Sequence, residues 1–209
     1  MTPNCWNCGA VVSARFCEAC GALQAPTRDF YEFLELPRNL ALDAKELEKR
    51  FYALSRQLHP DLFSRRGAKE QEHALEASAV LNDAYRTLRE PVSRALYVLR
   101  QEGYEIAEQG TKDVPPELLE EVFELNMALE ELREADGASG EARAQLAAAR
   151  QRFEGMRDET DAALQAKFTE WDAGRSPATL DAIRGVLNRR KYITNLIART
   201  DEANVSDRI

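Results

Sequence analysis

The chain has 209 residues, 44% of them apolar, with ten glycines and eight prolines, a composition that suits one or two helical domains with a core of their own. It holds no run of about eighteen apolar residues, which excludes a membrane-spanning helix. The formal charge of −8 is uneven: residues 28–103 carry thirteen basic and thirteen acidic side chains and residues 104–209 fourteen and twenty-two, so the second half lacks the clustered cations that nucleic-acid binding needs.

Neither an apolar signal segment nor an Arg- and Ser-rich presequence precedes Cys5. The expected location is the cytoplasm, or the mitochondrial matrix for a processed organellar chain. Two Cys-x-x-Cys-Gly knuckles follow, Cys5-Trp6-Asn7-Cys8-Gly9 and Cys17-Glu18-Ala19-Cys20-Gly21, with eight residues between Cys8 and Cys17. Each turn aims two thiolates at one point, and its trailing glycine permits the backbone conformation that turns amides toward sulfur. Cys5, Cys8, Cys17 and Cys20 are therefore the candidate ligands of one tetrahedral site. Structural zinc is the expected cofactor; iron or a pair of disulfides would use the same residues, and disulfides fare worst because nothing points to an oxidising compartment. About twenty residues bury too little surface to fold alone, so the metal would supply the folding free energy of this domain, placed at residues 1–26. Four thiolates leave no open position for chemistry. Leu23-Gln24-Ala25-Pro26-Thr27 is expected to be a short linker.

After a short helix at Phe30–Leu36, Leu47, Phe51, Leu54 and Leu58 recur at i, i+4, i+7 and i+11, the stripe of a helix lying on a core. Asp43 followed by Glu46 reads as its capping box. Lys45, Lys49, Tyr52 and Arg56 fall in a narrow arc on the opposite face. Pro60 ends this helix and drives His59 out of the helical region, leaving His59 and Asp61 at the tip of a turn that suits contact with a partner better than catalysis. A cationic face alone is what many surface helices show; the His59-Pro60-Asp61 turn directly after it gives it weight. A return helix carries Ala74, Ser78, Leu81, Tyr85 and Leu88 at alternating four- and three-residue steps, the pattern of an antiparallel partner. Beyond Pro91, a helix from Val92 to about Arg100 turns Ala95, Leu96, Val98 and Leu99 back onto the hairpin.

These elements, with Asn82-Asp83-Ala84-Tyr85-Arg86-Thr87-Leu88, resemble the J-domain family, co-chaperones of the seventy-kilodalton heat-shock ATPases. The resemblance implies that Lys45, Lys49, Arg56, His59, Pro60 and Asp61 dock on such an ATPase and trigger hydrolysis there. General J-domains place basic residues where this chain has Tyr52, Ala53 and Gln57, a departure that favours a dedicated ATPase. The J-domain is placed at residues 27–103.

Gly103 and the stretch 110–116 interrupt the pattern and mark the boundary of a C-terminal domain at 104–209. Three long amphipathic segments follow. The first runs from about Glu117 to Ala135, and the second from about Glu141 to Trp171 with Leu146, Ala149, Phe153, Met156, Ala163 and Phe168 near heptad spacing. The third opens at Ser176-Pro177, an N-cap followed by proline at the first helical position, and carries Leu180, Ile183, Leu187, Ile193, Leu196 and Ile197. Turns at 136–140 and 173–175 suit an antiparallel three-helix bundle. The fold class is all-α: a J-domain hairpin and a three-helix bundle, preceded by a small zinc-knuckle domain.

The first of these helices has more apolar surface than a bundle needs. Leu118, Val122, Leu125, Leu129 and Leu132 complete a core stripe, and Leu119, Phe123 and Met127 form another well round the helix, surrounded by Glu120, Glu124, Glu130, Glu131 and Glu134. An apolar strip inside a carboxylate rim has the character of a recognition surface. The competing expectation is that it packs on the third helix or on the J-domain.

Taken whole, the chain resembles the HscB-type J-proteins of iron–sulfur cluster assembly, most of all those with a four-cysteine N-terminal domain. Beyond the motifs above, Leu23-Gln24-Ala25-Pro26, Leu118-Leu119-Glu120-Glu121-Val122-Phe123-Glu124-Leu125-Asn126 and Lys191-Tyr192 carry the resemblance. It implies that the bundle binds the cluster scaffold protein, IscU-like, through Leu119, Phe123, Glu124, Glu131 and Tyr192, to which the apolar stripe adds Met127, and that the ATPase is HscA-like or its mitochondrial equivalent. Glu120 stands where the family often has an apolar residue, and Met127 where it often has an acid. The expected function is thus that of a co-chaperone that stimulates this ATPase and delivers the scaffold to it. A general J-protein carrying unfolded clients is the alternative. A homodimer stays open, and neither nucleic acid nor membrane is an expected partner. No enzymatic activity is expected: His59 and His73 are the only histidines, and no nucleophile has a base with an orienting acid.

Overall fold

The structure, a computed structural model, describes residues 4–104, 118–134 and 140–205, apart from the side chains of 132–134, 204 and 205. The described residues form seven α-helices and no strand longer than an isolated bridge. They divide into two compact units, Met1–Val98 and Leu99–Ile209. Leu132, Glu134, the interruption at 110–116 and most of the turn at 136–139 lie outside the described residues or side chains. None of the described helices is long and apolar enough to cross a membrane.

In the first unit α1 spans Phe30–Phe33, α2 Ala44–Gln57 and α3 Ala68–Arg89, and α4, Pro91–Gln101, begins there and runs past its boundary at Val98. Asp29 caps α1 by accepting from the amides of Tyr31 and Glu32. The helix is shorter than expected because Glu35 adopts a left-handed conformation, φ +54°, and closes it: the Leu36 amide reaches back to the Tyr31 carbonyl and the Glu35 amide to Glu32. Asp43 caps α2 through the Lys45 amide, but the reciprocal half of the capping box is absent, since Glu46 turns instead to Arg50 Nε at 2.9 Å.

Leu47, Leu54 and Leu58 are buried, as are Ala74, Ala77, Leu81, Ala84 and Leu88 of α3. Ser78 and Tyr85 prove half-buried, and Tyr85 stacks on Phe51 with ring centroids 4.3 Å apart. On α4, Ala95 and Val98 are buried, Arg94 donates to the Leu88 carbonyl at 2.6 Å, and the Tyr97 hydroxyl accepts from the Phe30 amide.

The second unit holds α5 (Leu119–Glu134), α6 (Gly140–Gly174) and α7 (Pro177–Val205). Leu118, Leu125 and Ala128 share one core cluster with Ala142, Leu146 and Phe153 of α6 and Ile193, Leu196 and Ile197 of α7. Toward the other end of α6, Leu164, Phe168 and Trp171 are buried along with Leu180, Ile183 and Leu187 of α7. Ala163, expected inside, is exposed, and its neighbour Leu164 takes the core position. The reason is geometric: a straight helix drifts about 20° per heptad, and the four-residue steps Met156, Thr160, Leu164, Phe168 restore the seam. Arg190 clasps Asp161 with two hydrogen bonds, and Arg199 reaches Asn126 at 2.7 Å, tying α7 to α6 and α5.

Because Phe153 lies fully inside this cluster, Phe153→Ala should lower the unfolding free energy of the bundle by about 3–5 kcal/mol in a denaturant titration.

Candidate docking surfaces and metal centre

The turn after α2 is built to hold two polar side chains in water. Leu58 closes α2 with its amide on the Leu54 carbonyl, and His59 takes the extended backbone that a following proline demands, φ −59° and ψ 126°. Pro60–Phe63 then make one turn of 3₁₀ helix whose cap is the His59 ring, Nδ1 accepting from the Asp61 amide at 3.3 Å. With Nδ1 so engaged, the ring presents Nε2 outward. Phe63 is buried beneath the turn, and Gln71 of α3 donates to the carbonyls of Ser64 and Arg66. Pro60 is half-buried; the Asp61 side chain is 89% exposed, 3.5 Å from His59 Nδ1.

Lys45, Lys49, Tyr52 and Arg56 are all exposed on α2. Lys49 lies 3.8 Å from Glu46, a loose contact that leaves its charge available. Arg50 differs, being engaged by both Glu46 and Glu35. Leu62, 61% exposed beside Asp61, is a surface residue that periodicity did not single out.

On α5 the two stripes separate as their angular positions require. Leu118 and Leu125 are fully buried, whereas Leu119, Phe123 and Met127 are 54%, 64% and 57% exposed. That exposure rules out packing of this strip into the bundle core. Glu120, Glu124, Glu130 and Glu131 are exposed around it, with Glu124 accepting from Arg152 of α6 at 2.9 Å. Tyr192 sits elsewhere in character, half-buried against the core cluster on α7.

The two knuckles are near copies. In each, the first cysteine amide donates to the carbonyl of the alanine five residues on (Ala10, Ala22), and the glycine amide returns to that cysteine's carbonyl. Gly9 and Gly21 have φ +75° and +71°, a conformation a side chain would strain. The Sγ atoms of Cys5, Cys8, Cys17 and Cys20 lie within 4.8 Å of one another, with Cys5–Cys20 and Cys8–Cys17 both at 3.7 Å. A disulfide would need about 2.05 Å. Tetrahedral bonds of about 2.3 Å would put sulfurs about 3.75 Å apart, so the donor set fits a single metal ion. Asn7 and Gln24 point N–H groups at Cys5 and Cys20. Burial pushes the Cys5 thiol up, but donation from the Cys8 and Asn7 amides outweighs it and brings Cys5 down to about 6. The Ala22 amide and the Asn7 side chain lower Cys20 as well. At Cys8 the Ala10 amide pulls down, yet proton sharing with Cys20, burial, and the other thiols carry it up to about 12.

The metal centre has a setting that the sequence reading missed. Trp6, Glu70 and His73 fasten the segment expected to be a linker, and Arg15 ties the stretch between the knuckles to Phe33 and Glu35: Leu23 is fully buried, and its carbonyl accepts from Trp6 Nε1 at 2.8 Å. The available signal was Glu70 and His73, two polar residues one turn apart beside the buried Ala74 and Ala77.

Residues 29–97 match the DnaJ domain family, and residues 114–201 the HSCB C-terminal oligomerisation domain. The chain is 37% identical to the human iron–sulfur cluster co-chaperone protein HscB over 205 residues, covering 93% of this chain and 79% of that one. It is 30% identical to a co-chaperone protein HscB homolog of Burkholderia multivorans over 157 residues, 75% of this chain and 85% of the relative. The crystal structure of human co-chaperone protein HscB superposes with a TM-score of 0.73 at 29% identity, over 98% of this chain and 100% of that chain. Chaperone HscB from Vibrio cholerae gives 0.59 at 26% identity, over 85% and 98%. With both halves matched, and with a relative of this identity aligned over 93% of this chain and 79% of its own length, the chain belongs to the HscB family of iron–sulfur cluster co-chaperones.

Proposed function

We propose that this chain stimulates ATP hydrolysis by a specialised seventy-kilodalton heat-shock chaperone, HscA-like or its mitochondrial equivalent, and delivers an IscU-like iron–sulfur scaffold protein to it. In this reading the chain makes and breaks no covalent bonds of its own. The observation that carries the reading is the pairing, on one chain, of an exposed His59-Pro60-Asp61 turn beside a cationic helix face with an exposed apolar strip in an acidic rim. Lys45, Lys49 and Arg56 supply charge that speeds encounter with an acidic ATPase surface, and Asp61 supplies an anion that meets a cation there. Leu119, Phe123 and Met127 supply apolar contact to the scaffold, with Glu124 and Glu131 at its margin and Tyr192 of α7 as a further contact. The four cysteines hold zinc, a cation indifferent to geometry that a closed tetrathiolate site retains without offering a reactive position. Such a protein acts in the bacterial cytoplasm or the mitochondrial matrix, where scaffold and chaperone meet.

The deciding experiment is steady-state ATP turnover by the chaperone with this protein and the scaffold added separately and together. Synergy supports the adaptor, and equal stimulation by any unfolded chain would instead support a general J-protein. Asp61→Asn should abolish stimulation while leaving the circular dichroism spectrum and melting temperature in place, because its carboxylate is in water and buries nothing. Leu119→Ala with Phe123→Ala should weaken scaffold binding at least tenfold by titration calorimetry. Since both side chains are exposed, stability should change by less than about 0.5 kcal/mol per site.

A further inference from the structure

The Leu23 peptide group is held from two sides by groups that neither the metal nor the docking surfaces require. Its carbonyl accepts from Trp6 Nε1 at 2.8 Å and from His73 Nδ1 at 3.1 Å, and its amide donates to Glu70 Oε1 at 3.3 Å. The Trp6 ring stands edge-on to His73 with centroids 5.8 Å apart. Trp6 belongs to the first knuckle, Glu70 and His73 to α3, and both α3 residues are buried. A second attachment lies between the knuckles. Arg15, its side chain only 16% exposed, donates to the Phe33 carbonyl at 2.7 Å, lies 5.2 Å from the Phe33 ring centroid, and pairs with Glu35, the left-handed residue that closes α1.

These contacts have a thermodynamic consequence. Residues 4–24 are too few to bury a core, so their fold leans on the cation that the four thiolates fit. Should the knuckles lose their shape, Trp6 and Arg15 leave, the Leu23 peptide is released, and Glu70 and His73 lose their hydrogen bonds to it and His73 its ring contact with Trp6. These buried contacts order α3 and α1 as well as the knuckles, so their loss is felt in α3 and α1 and not in the knuckles alone. We infer that the cysteine centre is a metal-dependent clamp on the J-domain, coupling occupancy by a thiophilic divalent cation to the order of α1 and the first half of α3 through Trp6, Arg15, Leu23, Glu70 and His73. The inference rests on the reading of the four cysteines as a metal site. Coupling of this kind is reciprocal: whatever factor the cation contributes to α3, an intact α3 returns to cation affinity.

The test uses the full chain, loaded with zinc and then stripped by a chelator, with amide hydrogen exchange followed by mass spectrometry. Withdrawal should speed exchange at least tenfold in residues 30–34 and 70–77, with α6 and α7 unchanged as the internal reference. Trp6→Phe, which keeps a ring and loses the N–H, and Arg15→Ala should still bind one zinc per chain yet show a smaller response in α3 and α1. In the reciprocal measurement, competition with a chromophoric chelator should show zinc affinity falling severalfold in His73→Ala, a residue that is not among the four thiolates. An exchange response confined to residues 4–24, or equal zinc affinity in His73→Ala and the unaltered protein, would overturn the clamp while leaving the metal reading intact. Failure of the unaltered protein to take up zinc would overturn both.

Discussion

What residues 43–63 offer to a partner depends on the burial of one face of α2. Leu47, Leu54 and Leu58 are inside, and each contributes roughly 1.5–3 kcal/mol by leaving water. Exposed ion pairs such as Lys49 with Glu46 contribute about 0–1 kcal/mol. Stability is therefore supplied from the α3 side, and the opposite face is free to carry whatever charges recognition needs. The same burial places the turn. Leu58 before it and Phe63 after it are both buried, so the four residues His59, Pro60, Asp61 and Leu62 bridge two fixed points at the surface.

In α5 the relation between stability and exposure is reversed. Leaving Leu119, Phe123 and Met127 in water forgoes burial of roughly 1.5–3 kcal/mol apiece, a contribution that only contact with another surface can recover. The surrounding glutamates oppose the simplest such contact, pairing of two copies through the same strip, because like charges would be brought face to face. Apolar attraction and rim repulsion together select a partner that is apolar at its centre and basic at its edge. The Arg152 contact to Glu124 neutralises one rim carboxylate from within, so the rim's charge is set partly by α6.

Periodicity made the two stripes of α5 legible, because angular position on a helix follows from residue spacing alone and exposure follows from angle. The thiolate cluster was legible for a similar reason: each Cys-x-x-Cys-Gly turn is a local structure, and two of them determine one centre. Ala163 was misplaced because a strict heptad was extended through a helix of 35 residues, over which the mismatch with 3.6 residues per turn accumulates to a full position. Arg50 is a further cation of α2, yet its charge is spent on Glu46 and on Glu35, whose left-handed backbone no pattern announces. The fastening of Leu23 was the least legible feature. Its partners lie 47 and 50 residues away, and what they grip is a peptide group, which every residue possesses and no sequence motif marks.

The chemistry of the two docking surfaces also bears on how an adaptor lets go. Contacts made by exposed lysines, an arginine and a single carboxylate are screened by salt and act mainly on the rate of encounter, so the turn is suited to brief engagement that is renewed often. An apolar strip keeps its contacts at any ionic strength and loses them slowly. Joining the two on one chain makes the second encounter intramolecular, with an effective concentration that can reach the millimolar range for a short connection. Under the proposed function, the cargo can thus be held throughout while the ATPase contact forms and dissolves around it. Tight binding at the turn would defeat that sequence, which is why weak charge there and apolar surface on α5 suit delivery better than the opposite arrangement.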